Sequence, residues 1–246
     1  MKKPCLPLSL LMMPLIVFAL HCPAQQITAP KYEMGVRLSS LIYQGDLAPA
    51  AAGSYKSLAL GGGIFATRIF DWNWALRVSA DYGKIKGSDS LYQEAWRKER
   101  RFSFRTTFAE LAAEMVYTIG DNYRADRLQP YVFAGAGVSF LDVKRDYSHS
   151  DPSYFSYNPW SANGLAIDTA KSLPKTCLVF PVGVGLRFGI GDNLSFFGEG
   201  TYRLMSTDYL DGFSRSANPS LLDHYTNLSL GLIYRFGDNY INCPRF

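Results

Sequence analysis

The sequence predicts an all-β fold, an eight-stranded antiparallel up-and-down transmembrane β-barrel, and three observations carry that expectation. The first is alternation. In Thr176–Ile190, Leu178, Phe180, Val182, Val184, Leu186, Phe188 and Ile190 share one parity, while Cys177, Val179, Pro181, Gly183, Gly185, Arg187 and Gly189 take the other. Successive strand side chains point to opposite faces, so this segment has one large apolar face and one small or charged face. That polarity suits a barrel coated by lipid outside and polar inside. The second observation is that connections between such segments alternate in length. The third is an export signal on a chain whose remainder has no apolar run of the ~20 residues a spanning helix needs.

Taken in order, the first strand is Tyr32–Tyr43, where Tyr32, Met34, Val36 and Leu38 oppose Glu33, Gly35, Arg37 and Ser39. The second, Ser57–Ile69, sets Leu58, Leu60, Ile64 and Ala66 against small residues and contains Gly61-Gly62-Gly63. Across the tight turn 70–73, Trp74–Lys84 places Trp74, Leu76, Val78, Ala80 and Tyr82 opposite Arg77, Ser79 and Asp81. The fourth, Arg101–Tyr117, breaks phase: Phe102, Phe104 and Phe108 share parity with Glu110 and Glu114. Either a bulge near Thr106–Ala109 switches the face, or the phenylalanines point inward above the membrane. Pro130–Val143 and Thr176–Ile190 are the fifth and sixth strands, and Leu194–Met205 is the seventh. The eighth, Tyr225–Phe236, aligns Leu230, Leu232, Tyr234 and a final Phe236, which resembles the carboxy-terminal signal read by outer-membrane barrel assembly machinery. Short links at 70–73, about 118–129, and 191–193 fit periplasmic turns; long ones at 44–56, 85–100, 144–175 and 206–224 fit outer loops.

The ends divide the chain into a cleaved signal peptide (1–24), a barrel (25–237) and a periplasmic tail (238–246). Lys2 and Lys3 precede the apolar stretch Leu6–Leu20, and Cys22-Pro23-Ala24 offers a small-residue cleavage site. A lipoprotein signal ending at Cys22 is disfavoured by the bulky His21 before it. Removing 1–24 takes away two lysines and no acid, lowering the net charge from +4 to +2. No long basic run remains, so nucleic-acid binding has no electrostatic footprint. The 16 Tyr, 16 Phe and 4 Trp suit aromatic girdles at both membrane interfaces. Cys177 and Cys243 fall at opposite ends of the barrel, about 25 Å apart, too far for a disulfide or a shared metal, whose cysteines need Cα atoms within ~7 Å for a bond.

The inward parity gathers Glu33, Arg37, Arg77, Asp81, Glu110, Glu114, Arg187, Glu199, Arg203 and Arg235. Eight strands leave an interior just wide enough for side chains, so these charges are expected to pair and close the lumen, against a narrow conduit or a proton-linked site as the alternative. No cofactor is expected and no enzyme activity: nucleophile, zinc and phosphate-loop motifs are absent. His149 beside Asp146 or Asp151, and His224 beside Asp208, Asp211 or Asp223, can be drawn as rim dyads, but a histidine among loop acids is ordinary polar surface. The loop 144–175 carries Tyr147, Tyr154, Phe155, Tyr157 and Trp160, which suit packing over the barrel mouth or an outer contact surface equally.

Four motifs stand in order: Tyr43-x-Gly45-Asp46-Leu47, Arg101-Phe102-Ser103-Phe104-Arg105 with Glu110, Pro130-Tyr131-Val132-Phe133-Ala134-Gly135, and Thr207-Asp208-Tyr209-Leu210-Asp211. Together they resemble the small outer-membrane barrels of Bacteroidetes-type bacteria, OmpA/OmpX-like in size, that include PorG of the type IX secretion system. The chain departs from that pattern at Gly212, where an acid is common, and in its extension past Phe236. The resemblance implies a non-catalytic barrel in the cell outer membrane, with outer-membrane lipid and the assembly machinery as partners. For PorG-like members it further implies attachment to a periplasmic ring of PorK- and PorN-like proteins. Such a contact would fall on Asp71, Trp72 and Asn73, on Asp121, Arg124, Asp126 and Arg127, and on the tail residues Asp238 and Tyr240. The alternatives are a general surface barrel for envelope integrity or adhesion through its outer loops, and a narrow pore.

Overall fold

The computed structural model describes residues 31–236 except 51, 72, 121–127, 192 and 218–222. The expected cleavage site, the tail and Cys243 lie outside the described residues. Eight strands run in chain order: β1 (Tyr32–Gln44), β2 (Ala59–Ile69), β3 (Trp74–Ser88), β4 (Ser103–Thr118), β5 (Leu128–Asp146), β6 (Thr176–Gly189), β7 (Leu194–Met205) and β8 (His224–Phe236). Each pairs antiparallel with the next, and β8 returns to β1 from Tyr32↔Phe236 to Gln44↔His224, closing the barrel. Closure removes the unpaired edge, a condition for crossing lipid with strands. Among the described residues no helix is long and apolar enough to cross a membrane.

The outer wall is apolar. Leu38, Leu60, Ile64, Val78, Leu111, Val184 and Leu230 are all more than half exposed. Trp74 against Tyr117 and Tyr234 against Phe236 place rings at the lower rim, near the chain ends. Shallow grooves in this wall, such as that between Met34, Val36, Ile64, Val78 and Leu194, are lined by lipid-facing side chains and suit acyl chains.

The inner wall explains its glycines. Six inward glycines sit directly across from an aromatic residue on the next strand: Gly35↔Phe65, Gly83↔Phe108, Gly87↔Phe104, Gly183↔Phe133, Gly185↔Tyr131 and Gly231↔Phe197. In each pair a Cβ added to the glycine would meet the ring within 2.2–3.0 Å. The rings therefore lie flat over bare backbone, which lets eight strands hold this many aromatics in so narrow a lumen. Pro181 also points inward. Its missing N–H interrupts the β5–β6 ladder between Ala134↔Val182 and Gly137↔Val179 without changing register.

Strand four settles its two alternatives. Its register with β3 runs unbroken from Trp74↔Tyr117 to Ser88↔Ser103, so there is no bulge. Phe104 and Phe108 point inward with Glu110 and Glu114. The expected ends of β3 and β5 are corrected outward, from Lys84 to Ser88 and from Val143 to Asp146. The reason is an inversion of polarity. Above the membrane Lys84, Lys86, Arg105 and Lys144 face out while Ile85, Phe104 and Leu141 face in, as in a water-soluble barrel.

The long outer connections build a cap on that extension. Residues 89–102 contain the short helix α1 (Ala95–Arg100). The segment expected as a loop over 144–175 instead carries α2 (Pro152–Tyr157) and α3 (Pro159–Ala170). Both start with an Asx residue followed by proline at the first helical position, Asp151-Pro152 and Asn158-Pro159, and each Asx side chain accepts from a backbone N–H two or three residues on. The loop's aromatics divide between the two expected roles. Tyr154 is buried and Phe155 packs toward Phe102, whereas Tyr157 and Trp160 stay exposed.

Candidate functional site

The lumen holds a charge network at the positions that parity marks as inward. All ten predicted residues are buried there, and five arginines balance five acids. Glu199 is the hub: it accepts from Arg37 Nη1 at 3.1 Å, from Arg77 Nη1 at 2.5 Å and from the Tyr131 hydroxyl at 2.8 Å. Arg37 Nε also donates to Asp81 Oδ1 at 2.8 Å, and Arg203 Nη2 reaches the same carboxylate at 3.1 Å. Arg203 Nε donates to Glu110 Oε1 at 2.8 Å, whose second oxygen accepts from Tyr225 at 2.9 Å. Arg77 lies 3.6 Å from Glu114. Nearer the chain ends, Arg187 and Arg235 share Glu33 Oε1 at 3.0 and 3.1 Å. Rings line these cations, with Arg77 4.5 Å from the Phe65 centroid and Arg203 5.5 Å from that of Tyr225. A void among Asp81, Phe108 and Arg203 measures about 10 Å³, room for about one water.

Above the charges sits an apolar plug that parity rules did not identify. Leu41, Tyr43, Leu47, Ile85, Phe102, Phe104, Phe108, Leu210 and Phe213 form one buried cluster, with Phe102 and Phe213 stacked at 4.4 Å. Its signal was present in the phase break of strand four, where phenylalanine and glutamate share a face. A smaller apolar cluster, Ile69, Ala75, Val116, Tyr131 and Phe133, is interleaved with the charges: the Tyr131 ring lies 5.4 Å from the Arg187 guanidinium.

Two of the sequence motifs meet at the top of the plug. Tyr43 and Gly45 of the first motif lie against Asp211 of the last and against Asp223. The Tyr43 hydroxyl is 2.8 Å from Asp211 Oδ2 and 2.7 Å from Asp223 Oδ1. Asp223 Oδ2 accepts from the Leu210 and Asp211 amides at 3.0 and 3.4 Å. Gly45 is required, because a Cβ there would stand 2.1 Å from both Asp223 Oδ1 and the Tyr43 hydroxyl. Gly212, the departure from the family pattern, has φ +85°, and its carbonyl accepts from Arg145 Nη1 at 2.8 Å. A left-handed φ favours glycine over an acid at that position.

One phenol carries one proton, so two carboxylates at hydrogen-bond distance from Tyr43 cannot both be ionised without an unsatisfied close contact. Burial is the main cause that pushes both acids well above the usual carboxylate range. For Asp211, repulsion from Asp223 and Asp46 adds to it. For Asp223 the Tyr43 hydrogen bond acts the other way, while Asp46 and Asp208 raise it further. Groups raised in the folded state hold an extra proton above the ordinary carboxylate range. The stability they contribute is complete below that range and is lost as pH rises through the raised value. Protection of the Leu210 amide from hydrogen exchange is therefore expected to fall as pH rises from 4, by about 1.4 kcal/mol per pH unit per proton. Asp223→Asn, which keeps one donor toward Tyr43 and one acceptor toward Leu210, is expected to flatten that profile. Parallel profiles in the two proteins would refute the shared proton.

A second carboxylate holds α3 to the same cap. Asp168 accepts from the Ser214, Arg215 and Ser216 amides, from the Ser216 hydroxyl at 2.7 Å and from Tyr209 at 3.2 Å. Burial raises this acid, but the Ser216 hydroxyl and the backbone amides outweigh it and keep the carboxyl below its usual range.

The two histidine dyads differ from how they were drawn. His149 Nδ1 lies 3.7 Å from Asp146 Oδ2 on an exposed turn, and the Ser148 hydroxyl donates to that carboxylate at 2.7 Å. Asp151 is turned away, capping α2 through the Ser153 amide and hydroxyl. His224 accepts from the Met205 amide at 3.4 Å and packs on Tyr202, while Asp223 and Asp211 bond Tyr43 instead. No group of metal-ligating residues occurs among the described residues. Cys177 is a buried free thiol. Of the residues expected at a periplasmic contact, Asp71 is exposed. Asn73 donates its amide to the Thr118 and Gly120 carbonyls at 2.9 and 2.7 Å, tying neighbouring turns together. Trp72, Asp121, Arg124, Asp126, Arg127, Asp238 and Tyr240 lie outside the described residues.

Residues 10–236 match the family model described as "Outer membrane protein beta-barrel domain". No curated protein matches the chain. Among solved structures, Neisserial surface protein A is 15% identical, with 83% of this chain and 97% of that one covered at a TM-score of 0.46. Ail, the attachment invasion locus protein of Yersinia pestis, is 12% identical, with 85% and 99% covered at 0.43. A major outer membrane protein from Thermus thermophilus is 11% identical, with 83% and 99% covered at 0.46.

Proposed function

Because the chain belongs to the outer membrane protein beta-barrel domain family, an eight-stranded barrel of the outer membrane, we propose that it acts without catalysis, as a closed membrane anchor working through its two ends. The observation that carries this reading is the packed lumen: among the described residues a neutralised charge network and apolar clusters occupy it, and the void beside Asp81, Phe108 and Arg203 has room for about one water. The finer reading is a PorG-like component of the type IX secretion apparatus that anchors or organises a periplasmic ring of PorK- and PorN-like proteins. Its support is the convergence of the Tyr43–Leu47 and Thr207–Asp211 motifs on one buried cluster, which gives their joint presence a structural reason.

The test is removal of residues 238–246, followed by capture of partners from solubilised outer membranes. Loss of a periplasmic lipoprotein with the barrel still inserted is the expected result. Unchanged partners, together with intact secretion in a full knockout, would remove the anchoring role. A second reading, surface contact through the outer cap, is favoured by Tyr157 and Trp160, which are 62% and 54% exposed on α2 and α3. Planar-bilayer recording separates both from a pore, and no conductance is expected.

A further inference from the structure

The outward face of the sheet just above the apolar belt is basic on three adjacent strands. On β3 the belt ends at Tyr82 and is followed outward by Lys84 and Lys86; on β5 it ends at Phe140 and is followed by Asp142 and Lys144. The register sets Lys86 directly across from Arg105, and Arg105 directly across from Lys144. One row lower come Lys84↔Thr107 and Thr107↔Asp142. All four cations are exposed. Ser40, Thr176 and Ser206, at the upper ends of β1, β6 and β7, carry no charge.

Like charges directly opposite in a sheet destabilise it, and neighbouring residues stand about 4.5–5.5 Å apart across the ladder. Three cations thus fall within about 11 Å along one row. The acids nearest to them on this face are both on β5. Asp142 lies 3.5 Å from the Lys144 ammonium, and Asp146 accepts from Ser148. Four cations against these two acids leave a surplus of two positive charges.

We propose that the row Lys86–Arg105–Lys144, with Lys84 below it, is a seat for the phosphate-bearing headgroup of an anionic lipid in the outer leaflet. The chemistry and the height agree. The cations begin one residue beyond the Tyr82 and Phe140 rings, where acyl chains give way to headgroups. An acidic protein would meet the same charges, but the wall immediately below is occupied by lipid, which makes a lipid headgroup the continuous occupant.

The test uses the full-length mature protein reconstituted in three membranes: phosphatidylcholine, phosphatidylcholine with phosphatidylglycerol, and phosphatidylcholine with a bisphosphorylated glycolipid. Lipid retained after extraction is counted by native mass spectrometry, and inorganic phosphate alone is the free-ion arm. Retention of the phosphorylated lipids over phosphatidylcholine is expected, weakened by raised salt. A Lys86→Gln/Arg105→Gln/Lys144→Gln variant is expected to bind them roughly a hundredfold more weakly, since each surface cation contributes about fivefold. Lys98→Gln/Arg215→Gln, two exposed cations elsewhere on the cap, is expected to match the parent. Equal retention by the triple variant overturns the proposal. So does salt-insensitive retention in the parent, equally tight binding of inorganic phosphate, or an acidic protein that displaces the lipid.

Discussion

Glu199→Gln is expected to lower the unfolding free energy of the barrel by about 3–5 kcal/mol, the usual effect of removing one partner from a buried ion pair. The substitution keeps the side chain's length and its capacity to accept from Tyr131. It removes the one negative charge that Arg37 and Arg77 share at 3.1 and 2.5 Å, and it leaves five buried arginines facing four acids. Urea unfolding in lipid vesicles, followed by tryptophan emission, measures the loss. Adding Arg77→Met restores neutrality and keeps an apolar stem against Phe65 and Phe133, whose rings Arg77 now covers. The double variant is therefore expected to recover part of the loss, with a coupling of about 1–3 kcal/mol. Additive losses would mean that the lumen charges do not act as one network.

The same network shows which parts of this molecule sequence could disclose. Inside the membrane the environment changes abruptly from lipid to lumen, so side-chain parity alone marks as inward ten charged residues that are buried, and the seventh strand runs over the expected Leu194–Met205. Above the membrane both sides of the wall are protein or water. There Lys84, Lys86 and Lys144 alternate with Ile85 and Val143 in the sense opposite to the membrane belt, and the expected strands stopped where the sign changed. Phe102, Phe104 and Phe108 looked like an error of phase for the same reason. The cap was less legible because it rests on long-range hydrogen bonds. Nothing local to Asp168 indicates that it binds the 214–216 amides, and nothing local to Tyr43 indicates Asp211 and Asp223. The Asx-Pro pairs before α2 and α3 were local signals, and they announce both helices.

The cap carries opposite dependences on acid. Asp168, held below its usual range, contributes stability above the ordinary carboxylate range that is lost as pH falls through its lowered value. Asp211 and Asp223 contribute in the other direction. Both act on residues 208–216, so that segment is held most firmly at mildly acidic pH and loosens on either side.

Asp89→Ala is expected to open the cap locally without unfolding the barrel. Asp89 is fully buried and binds two arginines of one short helix. Arg100 grips it with Nε and Nη2 at 2.7 and 2.9 Å, Arg97 Nη1 adds a third bond at 2.9 Å, and the Phe102 amide a fourth at 3.1 Å. Arg97 also donates to the Leu47 and Ala48 carbonyls at 3.1 and 3.0 Å, so the carboxylate orders two outer connections at once. Its removal leaves both guanidiniums in an apolar setting beside Trp96 and Phe102, at a cost of about 3–5 kcal/mol. That cost exceeds what a segment of this size can absorb, whereas the strand ladders do not depend on it, so the response is sub-global opening. Exchange of the Phe102 amide is expected to accelerate by more than a hundredfold, in line with that cost, and cleavage by trypsin after Arg97 or Arg100 is expected to appear. Urea unfolding of the wall should stay within about 0.5 kcal/mol of the parent, as for substitutions outside the cooperative core. Unchanged protection at Phe102 would show that the plug, through the stacked Phe102 and Phe213, holds the cap in place without the carboxylate.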